Sequence, residues 1–210
     1  MQQIAVLAHR VEPYTLLGPA EPSLFERLAP EANTWQKTAA VLVGILLVSL
    51  LAQAKFYLPD SPVPITAQGF GVVMLGGVLG WRLGMASAIG YYLVCMAGLP
   101  VFANSGEGWN YVIHGPTGGY LIGFILSAGL VGFLSQRGWN RGRILWPMLI
   151  GSLVIYVPAL IWLSVFDFTW PAEGQMMSSG MYQYIPGDVL KLMAAAAVTG
   201  GLWKIADKKR

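Results

Sequence analysis

Long apolar blocks, separated by short polar segments, follow one another along the chain from about residue 37 onward. A helix needs about 20 mostly apolar residues, and at least about 17, to cross the hydrocarbon layer of a bilayer. Four blocks meet that length, at about residues 37–57, 117–136, 144–166 and 186–205. Membrane β-barrels instead show segments of about ten residues with alternating polarity, and the sequence has no such alternation. The pattern therefore predicts an all-α integral membrane protein.

Two shorter apolar segments lie between the first and second of these blocks. One is glycine-rich and covers about residues 65–79, and the other runs from about 83 to 99, after the sequence Gly80-Trp81-Arg82. Because each is at or just below the minimum length of a span, we expect two short helices joined by a tight turn. With these two helices included, the predicted fold is a bundle of six transmembrane helices.

The basic residues orient this bundle. Only 11% of the 210 residues are charged, whereas soluble domains carry about 25%. Cytoplasmic loops of membrane proteins are enriched in Lys and Arg. Six spans place Lys55 on one side, Lys191 inside the last helix and the remaining basic residues on the side of the termini, so both termini are predicted to be cytoplasmic. The net charge of +3 is then explained by topology, and no nucleic-acid partner is expected. The residues on the side of the termini are Arg10, Arg27, Lys37, Arg82, Arg137, Arg141, Arg143, Lys204, Lys208, Lys209 and Arg210.

Motifs of the commonest catalytic and metal-binding classes are missing from the sequence. Neither the phosphate-binding G-x-x-x-x-G-K-[ST] nor the hydrolase motifs H-E-x-x-H and G-x-S-x-G occurs. The histidines are His9 and His114, and the single cysteine is Cys95, so neither a histidine metal site nor a disulfide is expected. We predict that the protein is not an enzyme and has no metal and no cofactor.

Two ionisable residues, Asp188 and Lys191, fall in the last predicted helix, which opens with Pro186. An ionisable group at the centre of a membrane helix costs about 2.5–3.5 kcal/mol on insertion scales, and such groups usually mark a ligand or ion path. Being three positions apart, the two side chains share one helix face and can partly neutralise each other. We expect both to point into the bundle from its external side. The alternative is structural: Asp188 caps the helix, and Lys191 extends to the membrane interface.

Other polar side chains gather on the same predicted external side. Gln68, Asn104 and Glu107 lie there, together with aromatic residues. Aromatic rings collect at membrane interfaces in any case, but a few converging polar groups in an apolar lining are the expected form of a small-molecule pocket. We therefore expect a ligand site at this end of the bundle. The flanking loop residues are Trp109, Asn110, Tyr111, His114, Phe168, Trp170, Tyr182 and Tyr184.

Ala40 and Gly44 form a pair of small residues, four positions apart, in the first predicted span. Such pairs allow the backbones of two helices to approach closely. Most of them pack helices within one protein, and the others present a smooth face to a partner subunit. Ala40 and Gly44 are therefore a candidate contact with a partner subunit.

Four sequence motifs make the chain similar to a known family. Pro62 to Gln68 enters the second predicted helix, residues 98–103 leave the third, residues 115–124 open the fourth, and Ile185 to Lys191 opens the sixth. In this order and spacing they resemble BioY, the biotin-specific substrate-binding (S) component of energy-coupling factor (ECF) transporters. The resemblance covers most of the chain, and the first 34 residues lie outside it.

This resemblance implies the S-component fold and high-affinity capture of biotin at the external side of the cell membrane. Asp188 would accept from ureido N–H groups of biotin, and Lys191 would donate to the ureido oxygen or to the carboxylate. The implied partners are a transmembrane subunit, two ATPase subunits and the lipid bilayer. Relatives carry a more glycine-rich loop where this chain has residues 104–109, so Asn104, Glu107 or Asn110 could stand in for a ligand-binding asparagine of that loop. The predicted substrate-binding residues are Asp188, Lys191, Gln68, Thr66, Asn104, Glu107, Tyr120 and Tyr184.

On this interpretation the chain has three parts. Residues 1–34 are predicted to be a cytoplasmic extension, mobile or lying on the membrane surface. Residues 35–206 form the six-helix biotin-binding domain, and residues 207–210 form a basic cytoplasmic tail. Two alternative functions stay open: an S component for another vitamin, and a membrane scaffold that binds no small ligand.

Overall fold

The computed structural model describes residues 18–59, 61–103, 106–140 and 142–208, which are mostly helical. Two short strands, β1 (Lys55–Phe56) and β2 (Ile65–Thr66), pair antiparallel with Lys55 opposite Thr66. A π-helical turn covers Ser135–Trp139, and a 3₁₀ turn covers Tyr182–Tyr184. The α-helices of the described residues are α1 (Leu24–Leu28), α2 (Thr34–Gln53), α3 (Gln68–Met96), α4 (Gly108–Ile113), α5 (Gly118–Leu134), α6 (Leu145–Val154), α7 (Tyr156–Val165), α8 (Met176–Gly180) and α9 (Ile185–Lys208).

Helix α3 is a hairpin of two antiparallel segments. At Gly80 the backbone has φ 78° and ψ 176°, a combination essentially restricted to glycine. The Nε2 atom of Gln68 lies 2.7 Å from the hydroxyl oxygen of Tyr91, which is 23 residues further along the chain. A straight helix of that length would separate the two residues by about 35 Å. The reversal confirms the predicted turn at 80–82 and the short helix on each side of it.

Five helical stretches are long and apolar enough to cross a membrane: Thr34–Gln53, Gln68–Met96, Gly118–Trp139, Leu145–Val165 and Met176–Lys208. Because the second of these is the α3 hairpin, the five stretches contain all six predicted helical segments. The number of membrane crossings and the cytoplasmic position of both termini stay predictions.

Helix α2 begins three residues earlier than the predicted first span. Asn33 and Gln36 cap it reciprocally, since each side-chain oxygen accepts a hydrogen bond from the other residue's backbone N–H at 2.9 Å. Such a capping box satisfies two N–H groups that a helix start leaves without partners. Helix α2 ends at Gln53, because the next residues form β1 and pair with β2.

Gly44 packs inside the chain, which corrects the prediction that it faces a partner subunit. A Cβ atom at Gly44 would lie 2.6 Å from Ser87 Oγ and 2.9 Å from Leu75 Cδ2, both in the α3 hairpin. The small residue therefore allows α2 to approach α3, which is the commoner use of such pairs. Ala40, one turn earlier, is half-buried.

Residues 18–28, here called the N-terminal clasp, pack against the end of the bundle that carries the C-terminus. Ser23 and Glu26 cap α1 reciprocally: the Glu26 N–H donates to Ser23 Oγ at 3.2 Å, and the Ser23 N–H donates to Glu26 Oε2 at 2.8 Å. Glu26 Oε2 also accepts from Gln136 Nε2 at 3.2 Å, while Gln136 Oε1 accepts from the Trp81 N–H at 3.1 Å. Gln136 therefore joins the clasp to the turn of the α3 hairpin.

The clasp also holds the end of α9. Leu24 is 0% exposed and belongs to one apolar cluster with Trp203 and Ala206. Arg27 donates to Asp207 Oδ1 at 3.4 Å. Residues 18–28 of the predicted N-terminal extension are thus packed on the helices, whereas residues 1–17 lie outside the described residues. The domain boundaries stay predictions.

Candidate ligand-binding site

A cavity lies at the end of α9 opposite the clasp. Its empty volume, including the open space at its entrance, is about 840 Å³. The walls are mostly apolar and come from β2, from α3 to α7 with the segment that follows α3, from the 3₁₀ turn and from α9. The lining residues are Val63, Pro64, Ile65, Thr66, Gln68, Gly69, Val73, Phe102, Ala103, Tyr111, Thr117, Tyr120, Leu121, Phe124, Ser152, Ile155, Tyr156, Tyr184, Asp188, Lys191 and Leu192.

Asp188 and Lys191 form the charged part of the wall. The Lys191 ammonium donates to Asp188 Oδ1 at 2.7 Å, and the side chains of Asp188 and Lys191 are 20% and 21% exposed. Tyr156 donates its hydroxyl hydrogen to the other carboxylate oxygen, Asp188 Oδ2. Asp188 lies in the first turn of α9, where the helix dipole favours a negative charge. The wall therefore presents a hydrogen-bond acceptor directly beside a donor.

A second polar group of the wall lies at the start of α3. Gln68 is 5% exposed. It donates through Nε2 to the Tyr91 hydroxyl at 2.7 Å and accepts at Oε1 from the Thr66 hydroxyl at 2.9 Å. The Tyr91 hydroxyl donates in turn to the carbonyl oxygen of Val101 at 3.2 Å. This chain of hydrogen bonds fixes the Gln68 amide between α3 and the segment that follows it.

Tyr120 and Tyr184 contribute aromatic rings to the cavity. The Tyr120 hydroxyl donates to the carbonyl oxygen of Gly180 at 2.5 Å, and the Tyr184 hydroxyl donates to that of Val63 at 3.1 Å. The two rings pack edge to face, with centroids 6.3 Å apart, which is a favoured aromatic geometry. Because both hydroxyl hydrogens are donated to the backbone, these residues offer a ligand apolar surface.

The model of the BioY family matches residues 26–208 of the sequence. The chain belongs to the BioY family. It is similar to the biotin transporter BioY of Rhizobium etli, with 35% identity over 176 residues that cover 78% of this chain and 90% of that one. It is also similar to the biotin transporter BioY of Thermotoga maritima, with 33% identity over 165 residues that cover 79% and 95%.

A solved structure shares the fold of this BioY family chain. It is the crystal structure of the S-component for biotin from an ECF-type ABC transporter, with a TM-score of 0.67, 24% identity, and coverage of 82% of this chain and 95% of that chain. The predicted S-component fold is therefore confirmed. The chain is a multi-pass membrane protein, and its curated BioY relatives are transporters, which agrees with the prediction that it is not an enzyme.

Most of the predicted substrate-binding residues meet in the cavity. Glu107 does not, because its side chain is exposed at the extended residue before α4 and is absent from the lining. Asn104 lies outside the described residues. Among the residues that the structure describes, no three His, Cys, Asp or Glu side chains are grouped so that they could hold a metal ion. The residues brought together are Asp188, Lys191, Gln68, Thr66, Tyr120 and Tyr184.

Sequence reasoning missed Tyr156 and Ser152, which both line the cavity. The two lie four residues apart across the α6–α7 junction, so they occupy neighbouring positions on one helix face. A signal was present in the sequence, because polar residues inside an apolar span usually face the protein interior. The surrounding run of apolar residues, from Leu145 onward, hid that signal.

Proposed function

We propose that this chain binds biotin in the cavity and serves as the substrate-capturing subunit of an ECF-type transporter in the cell membrane. Two relatives carry the name biotin transporter, and the solved protein of the same fold is an S-component for biotin. The observation that carries the proposal is the Asp188–Lys191 pair, which places an acceptor beside a donor, 2.7 Å away, in a largely apolar cavity.

The ureido ring of biotin is complementary to this pair. Each edge of a cyclic urea carries an N–H donor next to the shared carbonyl oxygen. Asp188 would accept from the N–H, and Lys191 would donate to the oxygen, giving charge-assisted hydrogen bonds about twice as strong as neutral ones. A ligand carboxylate in the same place would meet the negative charge of Asp188. We therefore assign the ureido end of biotin to Lys191.

The carboxylate end of biotin fits the start of α3. The side chain of Ala67, the residue before this helix, does not cap it, and the Gln68 N–H donates to Thr66 Oγ1 at 3.3 Å. A ligand carboxylate would therefore accept from the N–H groups that follow, those of Gly69 and Phe70. Gly69 lines the cavity, and nothing lies within 4 Å of the position that a Cβ atom would take. Helix N-termini bind carboxylates through their free N–H groups. Thr66 and Gln68 flank this position, so the valerate chain of biotin would run between the two polar groups of the wall, along the tyrosine rings.

Ala40 stays the proposed contact with a transmembrane subunit, which would act with two ATPase subunits. A bulky side chain at a close helix contact costs about 1–3 kcal/mol, so we expect Ala40→Trp to lower cellular biotin uptake about tenfold or more. Biotin affinity should not change, because Ala40 does not line the cavity. Uptake of radiolabelled biotin measures the effect, with Val165→Trp, at a 70% exposed site on α7, as the control. Full uptake by Ala40→Trp would show that Ala40 does not contact the transmembrane subunit.

The ligand is tested by competition on the purified chain in detergent. Radiolabelled biotin is displaced by unlabelled biotin, desthiobiotin, thiamine or riboflavin. We expect nanomolar displacement by biotin, or about −12 kcal/mol, weaker displacement by desthiobiotin and none by thiamine, whose positive charge Lys191 repels. Tighter binding of another vitamin would make the chain an S component for that vitamin. If the folded protein bound none of these ligands, the result would favour the alternative of a membrane scaffold.

A further inference from the structure

Tyr156 is held rigidly behind the Asp188 carboxylate. It is 5% exposed, and its ring packs edge to face on Tyr120 with centroids 6.2 Å apart. Its backbone position is fixed as well, because α5 approaches the α6–α7 junction so closely that a Cβ atom at Gly123 would lie 2.5 Å from the carbonyl oxygen of Ile155. Tyr156 therefore has little freedom to follow Asp188, whereas Asp188 can turn about its own side-chain bonds.

The two oxygens of the Asp188 carboxylate have different partners. Oδ2 accepts from the Tyr156 hydroxyl, and Oδ1 accepts from Lys191. A carboxylate oxygen has two lone pairs, so Oδ1 keeps one for a ligand beside the Lys191 ammonium. With one partner on each oxygen, the Tyr156 hydroxyl fixes the orientation of the carboxylate plane relative to the Lys191 ammonium.

A smaller apolar crevice lies on the other side of these residues, between α6 and α9. Tyr156 and Asp188 line both the crevice and the main cavity. The crevice is also lined by Leu153 and Val189, which are 45% and 44% exposed on the outside of the bundle. Lipid chains at that surface offer no hydrogen-bond donor. The Tyr156 hydroxyl is therefore the donor that the structure supplies to the carboxylate on its lipid side.

We infer that Tyr156 is a positioning residue that sets ligand specificity: its hydroxyl fixes the Asp188 carboxylate so that the wall selects ligands carrying an N–H beside a carbonyl oxygen. This inference rests on the proposed binding of biotin. A carboxylate released from Tyr156 is held by Lys191 alone, so it can tilt about that one bond and accommodate ligands that lack one N–H. Loss of the hydroxyl therefore lowers selectivity as well as affinity.

The test compares biotin with its two N-methyl derivatives, each of which lacks one ureido N–H. Kd values are measured for the wild type, Tyr156→Phe and Tyr182→Phe, the last changing a 57% exposed tyrosine outside the cavity lining. We expect the preference of the wild type for biotin over the weaker-binding derivative to shrink about tenfold in Tyr156→Phe, the equivalent of one hydrogen bond to a charged group. Tyr182→Phe should keep the wild-type preference.

Each other outcome has a distinct meaning. An unchanged preference in Tyr156→Phe, even with weaker binding of all ligands, would overturn the inference, since it would make Tyr156 a packing residue. Failure of Tyr156→Phe to fold, seen as loss of its thermal transition, would overturn it as well, because the hydroxyl would then be needed for the fold. No binding of biotin by the folded wild type would instead refute the proposed function.

Discussion

The two ends of the helix bundle use polar side chains in different ways. At the N-terminal clasp, Glu26 accepts hydrogen bonds from Ser23 and Gln136, and Leu24 fills the adjoining space with 0% exposure. At the cavity, Asp188 and Lys191 bond to each other but remain 20% and 21% exposed, facing open volume. The polar side chains of the clasp bond to other parts of the protein. Those of the cavity can still form hydrogen bonds to a ligand.

The same two helices, α3 and α9, contribute to both ends of the bundle. The start of α3 and the start of α9 form the polar walls of the cavity, while the α3 turn and the end of α9 are tied together by the clasp. Stability and ligand affinity should therefore be separable: changes at the clasp should alter unfolding, and changes at the cavity should alter binding.

The largest effect is expected from replacing Asp188 by Asn and Lys191 by Met together. Both charge-assisted hydrogen bonds to the ligand are lost, so biotin affinity should fall by more than about a thousandfold, or about 4 kcal/mol. Stability should be unchanged or higher, because neutral replacement of a largely buried ion pair is often neutral or stabilising. Biotin titration and thermal unfolding of the same preparation measure both. Retained affinity would make the pair structural and would contradict its assignment as the ligand contact.

Leu24→Ala should lower the stability of the protein and leave its biotin affinity unchanged. Removing a fully buried leucine costs about 2–5 kcal/mol of unfolding free energy, so the thermal transition should move to lower temperature. The Kd for biotin of the folded protein should stay at the wild-type value, because Leu24 lies at the other end of α9. The control is Leu28→Ala, in the same short helix but 49% exposed. Equal destabilisation by both variants would show that the clasp does not depend on Leu24.

Gly80→Ala should give the smallest of these effects. Its backbone has φ 78° and ψ 176°, and holding a residue with a side chain in so rare a conformation costs about 1–3 kcal/mol. The new methyl group would also lie 2.7 Å from Gln136 Oε1, which bonds to the neighbouring turn. Gly200→Ala is the matched control, because it lies in α9 with nothing within 4 Å. A melting temperature for Gly80→Ala equal to that of this control would contradict the requirement for glycine at this turn.

The sequence alone could predict the features that depend on local pattern. Span positions follow from hydrophobicity, and the α3 hairpin follows from two short apolar segments around Gly80. Asp188 and Lys191 could be identified as candidate site residues because ionisable residues are rare in membrane helices. All these signals are contained within a few neighbouring residues.

Features that depend on contacts between distant segments were harder to predict. A pair of small residues looks the same whether it faces α3 or a partner, so Gly44 was assigned to the wrong surface. The clasp depends on Gln136, more than a hundred residues from Glu26. Glu107 lies close in sequence to residues that line the cavity, yet its side chain is exposed. Tyr156 acquires its role only because α9 brings Asp188 beside it.

Titration of the purified chain with biotin, for the wild type and for Lys191→Ala, tests most directly that the ligand is held at the Asp188–Lys191 pair. The account predicts a nanomolar Kd for the wild type, about −12 kcal/mol. Lys191→Ala removes the charged donor to the ligand, a hydrogen bond worth about 1.5–3 kcal/mol, so affinity should fall by about tenfold to a hundredfold in a protein that still folds. Wild-type affinity in Lys191→Ala would contradict the assigned site, and the absence of binding by the folded wild type would contradict the assigned ligand.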